Sequence, residues 1–215
     1  MTLFIPGPEG RMEAILWHAK DDDGEETAPR AAAIVCHPHP LAGGTMHNNV
    51  VFRVARGLQR AGLTVVRFNF RGVEESDGRH HGDGGEIEDA RAALDWLAAE
   101  VPGVPLWAGG FSFGSRTVAG LALREPRLAQ VLLVAVPAKA YDCRFVADVR
   151  VPGLILMAGA DEFGNADDLR ASVPDLPATL VVDEIPGVDH YFRGETPQVE
   201  ERIRAHARRT LEPQP

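Results

Sequence analysis

The sequence predicts an α/β fold: a doubly wound, mostly parallel sheet with helices on both faces. Three observations carry that expectation. Short apolar runs rich in β-branched residues, such as 31–36, 64–70 and 151–158, alternate with longer stretches of helical spacing, the pattern of a parallel sheet covered on two sides. Helical stretches such as 47–61, with Val50, Val54 and Leu58, put their apolar residues on one face. The third is a strand-like run, 105–109, that feeds Gly110-Phe111-Ser112-Phe113-Gly114 and is followed by a helical pattern. A G-x-S-x-G box between strand and helix is a nucleophile elbow, in which a strained turn presents the serine at the sheet's edge.

The elements follow in order. Residues 14–19 read as an early strand, and 21–29, acidic and ending in Pro29, as the turn between two hairpin strands. A buried strand over 31–36 precedes the helix over 47–61, which Gly62 stops. Residues 64–70 form the next strand, 71–85 a polar glycine-containing loop, and Ile87, Ala90, Leu94 and Leu97 one face of a helix ending before Pro102. The elbow helix spans 113–124 and is stopped by Pro126. Three further strands are expected over 130–136, 151–158 and 178–184. Thr196 as N-cap and Pro197 at the first helical position open a terminal helix through Leu211. No repeat or low-complexity linker divides the 215 residues, so a single domain spanning 1–215 is expected.

Composition narrows the function classes. A net charge of −9 and a pI near 5.3 disfavour nucleic acid and anionic membranes as partners, both of which want a basic face. A small-molecule acyl substrate fits better, with a homodimer left open. Cys36 and Cys143 are too few for a disulfide framework, which suits a reducing, cytoplasmic setting. The first 17 residues lack a basic start and are broken by Pro6, Gly7 and Pro8, so they are read as neither signal peptide nor spanning helix.

A serine hydroxyl needs a histidine base, and that base needs an acid to fix its tautomer. Two histidines follow Ser112, namely His190 and His206. His206 falls inside the last helix, whereas His190 lies in the loop Pro186-Gly187-Val188-Asp189-His190-Tyr191-Phe192 after a strand, where catalytic groups gather. His190 is therefore the expected base. The acid should follow the strand ending at Ala158, which points to Asp161, with Glu162, Asp167 and Asp168 as competitors. Asp189 is set aside, because adjacent side chains in an extended loop diverge.

An acyl-transfer site also needs two N–H donors for the oxyanion, one of them from the residue after the nucleophile, here Phe113. The second should come from the loop Cys36-His37-Pro38-His39-Pro40-Leu41-Ala42-Gly43-Gly44, in which the prolines have no N–H to give. His39 is the expected donor, stiffened by flanking prolines, with Leu41 as the alternative.

The elbow, the His37-Pro38-His39-Pro40 and Gly43-Gly44-Thr45-Met46 segments, Arg67-Phe68-Asn69-Phe70-Arg71-Gly72-Val73, Ala160-Asp161-Glu162 and Asp189-His190-Tyr191-Phe192 together resemble the small bacterial α/β hydrolases with a serine nucleophile. The likeness is to the dienelactone-hydrolase-like group and covers nearly the whole chain. It implies the α/β-hydrolase fold, a triad of Ser112, Asp161 and His190, and carboxylesterase-like chemistry without cofactor or metal. Dienelactone hydrolases proper carry cysteine where this chain has Ser112. The same triad would also serve an acyltransferase, thioesterase or peptidase, and an idle fold acting as a binding module is the non-enzymatic alternative.

Other residues are read structurally. His37, His39, His47, His80 and His81 lack the spacing of a metal motif. Arg71 is read as bonding loop carbonyls rather than a substrate carboxylate, Cys36 as a buried thiol, and Trp17, Trp96 and Trp107 as core. Residues 137–150 are too few for a multi-helix cap, so minimal or no lid is expected, with Phe111, Phe145, Tyr191 and Phe192 available for a shallow apolar wall.

Overall fold

In the computed structural model, which describes residues 2–21 and 23–212, eight strands form one sheet. They are β1 (Thr2–Gly7), β2 (Gly10–Trp17), β3 (Ala31–Cys36), β4 (Leu63–Phe68), β5 (Leu106–Phe111), β6 (Leu128–Val134), β7 (Gly153–Ala158) and β8 (Leu180–Ile185). The helices are α1 (Asn49–Gln59), α2 (Glu86–Glu100), α3 (Phe113–Ala122), α4 (Ala166–Ser172) and α5 (Thr196–Leu211). The strand order is β1-β2-β4-β3-β5-β6-β7-β8. Strands β3 to β8 run parallel, and the antiparallel β1–β2 hairpin joins through β4.

Burial on both faces follows from the apolar runs. Every residue of β3, β4, β5 and β7 is buried, as parallel strands covered twice must be. Helices α1 and α5 bring Val50, Val54, Leu58, Val199 and Ile203 onto Val35, Trp107 and Leu132. The opposite face takes Leu94, Leu97, Val118 and Leu121 from α2 and α3 against Ile34, Val66, Ala108 and Leu133. Alternate residues of one strand thus serve different cores. Between β6 and β7 lies only a 3-10 turn, Arg144–Asp148, so the fold has no lid.

Three details depart from the sequence expectations. The hairpin turn falls at Pro8-Glu9 rather than over 21–29, and Pro6 is tolerated because β1 is the edge strand, where a missing N–H costs no ladder bond. Residues 21–29 instead link β2 to β3 with one bridge, Lys20 to Glu26; Met1 and Asp22, which belong to the N-terminal and turn readings, lie outside the described residues. Helix α4 was not anticipated, although Asn165 and Asp168 form a capping box that announces it. The N-cap of α5 is Glu195, with Thr196 already in the first turn. Among the described residues, no helix is long and apolar enough to cross a membrane.

His206 sits on the inner side of α5, with Nε2 3.3 Å from Gln130 Oε1 near the start of β6, the end of the sheet away from the elbow. Burial pulls its pKa from 6.5 down to about 4, so the folded chain holds it neutral. The unfolded chain takes up that proton at higher pH, so this contribution is present above pH 6.5 and lost as pH falls towards 4. The urea midpoint of the wild type should drop through that window, and that of His206→Gln should drop less. Equal slopes would remove His206 from the account.

Candidate active site

Strand β5 ends at the elbow. Ser112 has φ 55° and ψ −119°, a left-sided conformation that a non-glycine residue holds only when its surroundings force it. The forcing contacts are backbone to backbone. A Cβ on Gly110 would lie 2.3 Å from Gly114 O, and one on Gly114 would lie 2.4 Å from Cys36 O, so neither position admits a side chain. The Ser112 amide donates to Val134 O of β6 at 2.8 Å, which fixes the turn against the neighbouring strand.

Two other loops bring partners to this serine. His190 Nε2 is 2.9 Å from Ser112 Oγ, and His190 Nδ1 is 2.7 Å from Asp161 Oδ2. The amides of Gly159 and Ala160 donate to Ile185 O and Val188 O at 2.9 Å each, tying the acid's loop to the histidine's loop. Asp161 Oδ1 accepts the Phe163 amide at 2.7 Å, so both carboxylate oxygens are held. Asp161 is 5% exposed and His190 3% exposed; Phe111 and Phe163 flank the imidazole at ring distances of 5.0 and 4.7 Å. The other acids are exposed or engaged elsewhere. Glu162 is exposed, Asp167 pairs with Arg170, Asp168 caps α4, and Asp189 holds Arg193.

The 37–44 loop is fixed by buried polar groups. His37 Nδ1–H donates to Pro38 O at 2.6 Å, and its Nε2 accepts the Phe70 amide at 3.0 Å. The ring therefore needs to be neutral, and burial holds its pKa down at about 4. Arg67 Nη1 donates to Met46 O at 2.9 Å, while Asn69 Oδ1 accepts the Met46 amide at 2.8 Å. Within the loop, the amide of Leu41 is taken by His39 Nδ1, those of Ala42 and Gly44 by His39 O, and that of Gly43 by Pro40 O. Among the described residues, the amides of His39 and Phe113 donate to no protein acceptor.

An open cleft of about 410 Å³ surrounds Ser112 and His190, walled by Leu41, Tyr141, Phe163 and Tyr191. The expected wall is thus partly wrong. Phe111 lies beneath His190, Phe192 is in the core, and Phe145 packs against Arg116. Arg71 is spent on Asp89, Glu9 and Gly85 O, at distances from 2.6 to 3.1 Å. Cys36 is buried, which pushes its thiol pKa far up. Among the described residues, no three of the five histidines weighed as metal ligands come together, although the rings of His39 and His80 meet at 5.0 Å. One group, Glu13, His47 and Glu74, has ligand atoms close together, but Asn69 Nδ2 bonds both carboxylates at 2.8 Å and accounts for the gathering.

Residues 34–176 match the sequence model of the α/β hydrolase fold, and the chain belongs to that family. An uncharacterized protein of Rickettsia prowazekii is 37% identical over 211 residues, covering 94% of this chain and 86% of the relative. An α/β serine hydrolase homologue from Coxiella burnetii has a TM-score of 0.86 at 33% identity, covering 95% of this chain and 96% of that one. XC6422 from Xanthomonas campestris, described as a serine hydrolase without a lid, gives 0.85 at 33% identity, covering 100% of this chain and 96% of its own.

The roles of His37, Arg67 and Asn69 escaped the sequence reading, although polar residues set in apolar runs were the visible signal. His37→Ala would strand both the Pro38 carbonyl and the Phe70 amide, a loss of roughly 1–3 kcal/mol for each group left unsatisfied. Exposed His47→Ala should change stability by less than about 0.5 kcal/mol. Urea denaturation of the two variants separates a structural cross-link from a surface histidine.

Proposed function

We propose that the protein is a serine hydrolase of carboxylic esters or related acyl compounds, working through an acyl-enzyme. The observation that carries this reading is the unbroken chain of contacts from Ser112 Oγ to His190 Nε2 at 2.9 Å and from His190 Nδ1 to Asp161 Oδ2 at 2.7 Å. Asp161 accepts from Nδ1–H, which leaves the Nε2 lone pair facing the serine hydroxyl, the tautomer a general base requires.

As Ser112 Oγ attacks the substrate carbonyl, His190 takes its proton, and Asp161 stabilises the imidazolium so formed. The carbonyl oxygen becomes an oxyanion held by the amides of Phe113 and His39, which donate to no acceptor among the described residues and are fixed in place beforehand. His190 then returns the proton to the leaving alcohol. A water molecule, deprotonated by the same histidine, attacks the acyl-enzyme and releases the acid. No step calls for a metal or cofactor.

The missing lid sets the acyl preference. In the open cleft, added methylenes stay partly in water and gain little of the about 0.8 kcal/mol that full burial of each would give. Short acyl groups are therefore favoured.

A fluorophosphonate should add one label, located on Ser112 by peptide mapping. Asp161→Asn should fold normally and lose about 10⁴-fold in kcat, because the wrong tautomer of His190 is then held, whereas Glu162→Gln should stay near wild type. A label on another residue, or the reverse order of losses, would break the assignment. Across p-nitrophenyl esters, kcat/KM should stop rising by about eight carbons, where extra methylenes no longer find a wall to bury against; a continued rise to palmitate would reveal a cover over the cleft.

A further inference from the structure

Beside the cleft lies a second cavity of about 210 Å³, whose lining includes His80, Glu86, Phe113, Arg116, Thr117 and Tyr141. It shares Tyr141 and His39 with the cleft that holds Ser112, so the two spaces meet at the same wall. Arg116 is the informative residue. It stands four residues after Ser112 in the first turn of α3, its amide donating to Ser112 O at 3.2 Å.

Arg116 is half-buried, and its guanidinium lies 5.5 Å from the ring centre of Tyr141 and 5.3 Å from that of Phe145. No described carboxylate forms an ion pair with it, and its Nε is buried without a partner. The nearby Asp142 feels the charge of Arg116 but bonds Arg144 with both oxygens, at 3.0 and 2.7 Å. Glu86, the acid in the cavity wall, is 1% exposed and turns one oxygen to His80 Nδ1 at 2.5 Å. By contrast Arg71, Arg127 and Arg193 each hold acidic partners. A guanidinium set against two aromatic rings, with no ion pair to a described carboxylate, has donors left for the planar, two-pronged grip of a carboxylate.

We infer that this cavity is an anion subsite, and that the substrate carries a carboxylate a short chain away from the carbonyl Ser112 attacks, with Arg116 as the specificity-determining residue. The inference rests on the serine-hydrolase reading and narrows it to half-esters of short dicarboxylic acids or acyl compounds of that shape. The carboxylate anchors in the second cavity while the ester carbonyl reaches Ser112 in the first.

The test compares monomethyl glutarate with dimethyl glutarate at pH 7 and low ionic strength. The wild type should prefer the half-ester, and Arg116→Gln should lower the ratio of kcat/KM, half-ester to diester, by about 10- to 100-fold. Arg116→Lys should restore part of it, since a point charge replaces the planar fork. An unchanged ratio in Arg116→Gln overturns the subsite while leaving the hydrolase reading intact. Calorimetric binding of glutarate, weakened to the same degree by Arg116→Gln, provides a readout that does not depend on turnover. If neither ester is cleaved and Ser112 takes no phosphonate, the hydrolase reading falls, and glutarate binding alone decides the subsite.

Discussion

The site depends on a close backbone approach, where the first turn of α3 presses onto the end of β3. Gly114 meets the carbonyls of Cys36 and His37, and Gly110 meets Gly114 O, so these three segments stay in register only while both positions lack side chains. The same contact drives Ser112 to φ 55° and turns its hydroxyl away from the core. It also seats the 37–44 loop directly against the nucleophile turn. The proposed nucleophile and the amides proposed to receive its oxyanion thus share one rigid reference, which is what electrostatic preorganisation requires.

Around that contact the fold spends buried polar groups rather than a lid. His37, Arg67 and Asn69 stand at the carboxyl ends of β3 and β4, where most neighbours are apolar; His37 clamps the start of the 37–44 loop, and Arg67 and Asn69 hold Met46 just beyond it. Arg71, with Asp89 and Glu9, does the same for the 71–85 loop. Such groups are costly to bury unless bonded, and nearly every one here is bonded to backbone. Arg67 shows the cost directly: burial lowers its pKa to about 10, and its Nε has no partner. An open cleft with stiff walls results, and a substrate in it is recognised by fixed groups rather than by closure.

Much of this was legible in the sequence because the elbow constrains so much else. Gly110, Ser112 and Gly114 define a strand-to-helix junction, and chain order then singles out Asp161 and His190; the structure places His190 within hydrogen-bonding distance of both Asp161 and the serine. Apolar runs located β3 to β8, most plainly β3, β4, β5 and β7, because buried parallel strands are continuous apolar runs. Pattern failed at β1, where Pro6 reads as a breaker unless one knows that the strand is an edge, and at α4, whose seven residues are too few to show a period. The cleft wall was misread for a similar reason. Composition offers several aromatics, but only tertiary packing decides that Phe192 faces the core while Phe163 and Tyr141 face the cleft.

The central claim is that an oxyanion formed on Ser112 is met by two amides already in place. The most direct measurement is a crystal structure of the enzyme inactivated by a methyl phosphonate, whose tetrahedral phosphorus mimics the intermediate. A phosphoryl oxygen should lie about 2.7–3.1 Å from the amide nitrogens of both Phe113 and His39, with the backbone of residues 37–44 unmoved. A phosphoryl oxygen turned instead toward Leu41 or bulk solvent, or a loop that must rearrange to meet it, would contradict the account.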